Sequence, residues 1–205
     1  MKKTFLALAV VSLVACKKNE DANAKTSTSI GDVVNGAKTL NNLSASMDDI
    51  EKKMEELKTT TPATNDELKS IFPTTSLGLA RTEIKVGDIS MMGLASAEAK
   101  YSDNANKNVE ISIMDGAGEA GSGMLAMLMM ALKAESEKTS AEGYEKTTNF
   151  NNVRASISEK KNGDIMESEI QYLLKNRYAV KIEGEGYTLD QLKAVMSEIN
   201  TSSLK

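Results

Sequence analysis

The sequence predicts an α+β domain: an antiparallel sheet of about seven strands with helices on one face, preceded by a long N-terminal amphipathic helix. Three observations predict it. Between Ile84 and Glu185 apolar residues recur at every second position in several short runs, the period of half-buried strands. Asn151-Asn152, Asn162-Gly163 and Lys175-Asn176 separate such runs with residues that tolerate positive φ, and links this short force neighbouring strands to be antiparallel. A helical period replaces the strand period before Lys58, around Met127 and after Thr188.

In chain order, MKKTFLALAVVSLVAC opens with Lys2 and Lys3, continues with an apolar run from Phe5 to Ala15, and ends at the single cysteine of the chain. Residues 1–15 have the layout of a secretory signal peptide, and their apolar run is about half the roughly 20 residues a spanning helix needs. Leu13-Val14-Ala15-Cys16 resembles the lipobox of bacterial lipoproteins. That resemblance implies cleavage before Cys16, a diacylglycerol on its sulfur and acylation of the new amino group. The physical need is that one acyl chain holds a protein only marginally, whereas two or more anchor it stably. Lys17 stands where an aspartate would favour inner-membrane retention, so the resemblance also implies the outer membrane. Residues 16–29 are then the lipidated cysteine and a polar, aperiodic tether.

Residues 30–58 read as the amphipathic helix, with Leu40, Leu43, Met47, Ile50, Met54 and Leu57 at alternating steps of three and four. The stripe suits a helix lying on its own domain, or a short coiled coil for self-association or a protein partner. Residues 59–64, TTTPAT, are a linker, and 65–205 the α+β domain. Asn65 is placed to cap a short helix, NDELKSIF, that Pro73 ends. Strands follow at Ile84 and Val86, at Ala97, Ala99 and Tyr101, and at Val109, Ile111 and Ile113. Four more are read over Tyr144–Phe150, Val153–Glu159, Ile165–Leu174 and Tyr178–Glu185. The last helix puts Leu189, Leu192, Val195, Met196 and Ile199 on one face behind Thr188 as N-cap.

The middle helix is expected over residues 123–134, and its segment MLAMLMMAL is apolar all round. Such a helix is expected to be covered on both sides, by the sheet and by the N-terminal helix. Alternatively Met124, Met127 and Met130, at i, i+3 and i+6, contact an apolar ligand such as an acyl chain, since methionines adapt to irregular apolar partners. Thioethers also select soft metals, but the interleaved leucines deny the polar access a metal would want. Just before this segment, Gly116-Ala117-Gly118-Glu119-Ala120-Gly121 spells the G-x-G-x-x-G of dinucleotide sites. The strand before it alternates, as one-sided antiparallel strands do, and no apolar second strand ending in an acid follows. The glycines are read instead as letting a crossover loop approach the sheet closely, and no cofactor is expected.

The chain has 29 acidic against 25 basic side chains, a formal net charge of -4 that loss of Lys2 and Lys3 makes more negative, so no electrostatic footprint for nucleic acid is present. It contains no histidine, which excludes Ser-His-Asp and Cys-His catalysis and histidine-ligated zinc. Catalysis would have to come from a Ser-Lys pair, a bound metal or paired carboxylates. Glu167 with Glu169, and Glu183 with Glu185, share strand faces, as the solvated side of an antiparallel sheet also does.

From Glu67 to Ser197 the chain resembles an uncharacterised group of exported bacterial proteins of unknown function, through LKSIFPTTSLGLARTE, ASAEAKYSD, ISIMDGAG, EGYEKTTNFNNVRASIS and YAVKIEGEGYTLDQLKAVM. The resemblance implies one coherent domain with a Gly-rich loop before its middle helix, and carries no catalytic residue. The architecture is also broadly similar to small extracytoplasmic binding folds such as the PsbP-like one, which bears on fold alone. The expected function is that of a lipid-anchored envelope protein with a non-catalytic binding or interaction domain. A carrier of an apolar ligand and a carboxylate-based hydrolase are the alternatives.

Overall fold

A computed structural model describes residues 47–87, 93–103 and 107–205, all within the compact unit Asn41–Lys205. The predicted signal peptide, Cys16, the tether and the first part of the N-terminal helix, residues 30–46, lie outside the described residues.

The described chain is α+β, with helices α1 (residues 47–58), α2 (Asn65–Lys69), α3 (Gly118–Lys133) and α4 (Leu189–Glu198). The strands are β1 (Thr75–Ser76), β2 (Leu79–Val86), β3 (Ser96–Ser102), β4 (Asn108–Asp115), β5 (Glu137–Thr139), β6 (Gly143–Phe150), β7 (Val153–Asn162), β8 (Ile165–Leu174) and β9 (Tyr178–Glu185). They form one open nine-stranded sheet in the order β1-β2-β3-β4-β9-β8-β7-β6-β5, with every neighbouring pair antiparallel. The sheet is therefore two meanders joined at β4 and β9. Helix α3 carries the chain from the middle of the sheet to its far edge.

All seven expected strands are present; the two additional ones, β1 and β5, have two and three residues and no apolar alternation to reveal them. The turn after β7 is shifted by one residue from Asn162-Gly163. Asn162 pairs with Ile165, and Gly163 (φ 62°) with Asp164 makes the bend. A glycine in the first central position suits a two-residue hairpin on a twisted sheet. Asn151 and Asn152, and Lys175 and Asn176, all take positive φ as expected. Thr64, not Asn65, caps α2, because its hydroxyl and the Glu67 carboxylate form a reciprocal capping box.

One face of the sheet carries the core. Ala97, Ile113, Val180, Tyr172 and Ala155 lie in register across five strands, and Ala99, Ile111, Ile182, Ile170 and Ile157 in the next row. Leu68, Ile71 and Phe72 from the α2 region, Leu189, Leu192 and Val195 of α4, and Leu204 close over these rows. Helix α4 begins as expected at Thr188, which forms a capping box with Gln191.

The expectation of helices on one face is corrected here. Helix α3 lies over the opposite, outer face, where Arg154 Nε and Nη2 donate to the carbonyls of Leu132 (2.8 Å) and Ala134 (3.2 Å) at its C-terminus. The core face is already filled by α2, α4 and the C-terminal residues, and the outer face offers small or apolar side chains at Ser96, Met114, Ala179 and Leu173, which align across β3, β4, β9 and β8.

Candidate functional site

The site is built where β4 turns into α3. Asp115, the last residue of β4, is fully buried, and its carboxylate collects four donors. Oδ1 accepts from Arg177 Nε (2.8 Å) and Ala117 N (3.0 Å); Oδ2 accepts from Arg177 Nη2 (2.8 Å) and Ala63 N (2.7 Å). Arg177 Nη2 also donates to Thr61 O (2.9 Å), and the guanidinium lies 5.0 Å from the ring centroid of Tyr178. The hydrogen bonds that Arg177 donates to the Asp115 carboxylate raise its pKa. One bidentate pair thus fastens the predicted linker, the β4–α3 corner and the β8–β9 turn together.

The glycine run is part of this corner. Helix α3 starts at Gly118, five residues before the expected Gly123, so most of the G-x-G-x-x-G lies inside its first turn. A side chain at Gly116 would come within 2.6 Å of Leu125 Cδ2 and 2.8 Å of the Arg177 carbonyl. Close approach to the chain is therefore the reason for glycine there. The carboxylate at the helix start is the protein's own Asp115, already neutralised, and β4 is antiparallel to both neighbours, so the dinucleotide geometry is absent.

Helix α3 buries Leu125, Ala126 and Leu132, while Met124 (46 % exposed), Met127 (69 %) and Met130 (46 %) face solvent. Among the described residues nothing covers this methionine stripe, so the expected cover on both sides of the helix is not complete there. A cleft runs along each flank. The first, about 450 Å³, lies between Met124 and Leu128 of α3 and Met114, Ala179, Lys85 and Lys181 of the outer sheet face. The second, about 460 Å³, is lined by Met129, Leu132, Val153, Arg154 and Leu173. Of the three methionines expected to touch an apolar ligand, only Met124 lines a cleft; Met127 and Met130 do not line these two.

Beyond the first cleft the outer face changes character row by row. Lys85, Glu98, Ser112, Lys181 and Gln171 align across β2, β3, β4, β9 and β8. The next row is Lys100, Glu110, Glu183, Glu169 and Ser158, and the one after it Ser102, Asn108, Glu185, Glu167 and Lys160. Apart from Lys100 and Ser102, the residues of these last two rows line a shallow depression of about 320 Å³. Glu167 and Glu169 thus face Glu185 and Glu183 directly across the strands. Burial works to lower the Lys181 pKa, but its hydrogen bond to Glu183 and the charges of Glu169 and Glu183 outweigh it, and the net shift is upward. The Glu110 hydrogen bond likewise raises Lys100.

Among the described residues no group of three or more His, Cys, Asp or Glu is arranged to hold a metal, and no helix is long and apolar enough to cross a membrane. Sequence reasoning missed Asp115, Arg177, Leu128 and Met114. For Met114 a signal existed: with Leu173 and Ala179 it is an apolar residue at the polar parity of its strand, and together they mark where a helix lands. No protein family, curated protein or solved structure matches the chain, so fold and function rest on the residues themselves.

Proposed function

We propose that the chain is a lipid-anchored cell-envelope protein, directed to the outer membrane, whose domain binds a partner without catalysing a reaction, and binds it on the outer face of the sheet beside α3. The anchor rests on Lys2, Lys3, the apolar run and Leu13-Val14-Ala15-Cys16. The observation that carries the binding reading is the asymmetry of the sheet. One face is packed by α2, α4 and the C-terminal residues, while the other keeps open clefts along α3 and an uncovered polar surface. A domain that needed the outer face only for stability would gain by covering Met114, Met124 and Leu128.

A carrier of a small apolar ligand is the second reading, favoured by the first cleft, whose volume lies within the range of ligand pockets. The hydrolase alternative has only the glutamate rows to draw on. They stand on the open face, where Glu110, Glu169 and Glu183 are paired with Lys100 and Lys181.

Photo-crosslinking in the envelope tests the proposal. With the crosslinker at Leu128, in the cleft, a discrete adduct is expected; with it at Lys193, on the exposed side of α4, none is expected. Cys16→Ala is expected to move the protein from the membrane to the soluble fraction. Equal labelling from both positions overturns the binding face, and retention of the Cys16→Ala chain in membranes overturns the anchor.

A further inference from the structure

Resting on that binding reading, we infer that the outer face is a docking trough for a basic amphipathic peptide segment, its apolar end beneath α3 and its lysine- or arginine-rich end over the glutamate rows. The first cleft and the acidic depression are continuous. Ser112 and Lys181 line the cleft, and Glu110 and Glu183, one same-face step along the same strands, line the depression. Same-face residues of a strand are roughly 7 Å apart, so from Met114 and Ala179 to Asn108 and Glu185 the trough runs about 20 Å. The first cleft runs along the flank of α3 and the depression beyond it is lined by strand residues alone, which suits an extended chain laid along both better than a small molecule that must be mostly enclosed.

Charge complementarity sets the sign of the partner. In the depression the carboxylates of Glu110, Glu167, Glu169, Glu183 and Glu185 outnumber the lysines beside them, Lys100, Lys160 and Lys181. Lys181 is held by Glu169 and Glu183, and Lys160 by Glu145 outside the row. Glu167 and Glu185 oppose each other in register, and among the described residues they receive hydrogen bonds from Asn162 and Asn108 rather than ion pairs with lysine. Like charges directly opposite on neighbouring strands destabilise a sheet, so the pairing of these two carboxylates favours an incoming cation.

The test uses the full-length chain in nanodiscs of zwitterionic lipid, with empty discs as blank, and fluorescence anisotropy of labelled peptides. The probe is about three leucines followed by about three lysines, roughly 20 Å when extended; its mirror carries glutamates in place of lysines. The lysine peptide is expected to bind and to weaken as salt rises, and the glutamate peptide to bind at least about tenfold less tightly. The double variant Glu167→Gln, Glu185→Gln is expected to lose about fivefold. Met124→Glu is expected to lose affinity too, because it places a charge in the apolar end. Equal binding of the two peptides, or unchanged binding by the glutamine variant, overturns the proposal. If the lysine peptide fails while a fatty acid binds and Met124→Glu abolishes that binding, the peptide is wrong and binding at this face stands. If neither ligand binds, both readings fall.

Discussion

At the scale of single residues the structure depends most visibly on Asp115 and Arg177. Their side chains are 0 % and 11 % exposed, so removing one partner leaves the other charged and buried. Arg177→Ala is therefore expected to lower the unfolding free energy by about 3–5 kcal/mol, measured by urea denaturation. The double change Asp115→Asn, Arg177→Met should recover much of the loss, because no lone buried charge remains. This pair was not legible in the sequence. An aspartate ending a strand and an arginine in a turn are individually ordinary, and only the pairing of β4 with β9 brings them together. The strand before the glycine run was legible for the opposite reason, since its alternation alone marks it as antiparallel, and β4 is antiparallel to both neighbours.

Among the elements, those whose signal is local were read well. Helix α4 is the clearest case: Thr188, Gln191 and the stripe Leu189, Leu192, Val195 specify its start and its buried side within a few residues. Thr188→Ala is expected to cost about 1 kcal/mol, read as a lower melting temperature without loss of the folded state. The face chosen by α3 was not legible from its own residues, because a segment apolar all round can settle on either side of a sheet. Its position follows from what already fills the core face. The start of α3 was misplaced by five residues because glycines read as loop, whereas here their missing side chains let the first turn press against Asp115 and Gly116. Strands β1 and β5 are too short to show a period, and their existence is a property of the neighbours they pair with.

For the molecule as a whole, stability is tied to a core in which phenols are buried. Burial pushes Tyr101 and Tyr172 from 10.0 up to about 12, so the folded state holds their protons where the unfolded chain releases them. Their contribution is fully present below pH 10 and is lost as the pH rises through about 12. Melting temperatures are expected to fall across that interval, and Tyr172→Phe to shrink the fall. The joining of the two meanders has a separate consequence, in the time domain. Apart from β4 with β9, every strand pairs only with strands next to it in sequence. Closing Asn108 onto Glu185 and Asp115 onto Tyr178 spans everything between them, the longest loop closure in the sheet. A chain made from its N-terminus presents β4 long before β9 exists. During that interval Val109, Ile111 and Ile113 border an unpaired strand edge, so the newborn protein is most prone to aggregate at the centre of what becomes its sheet.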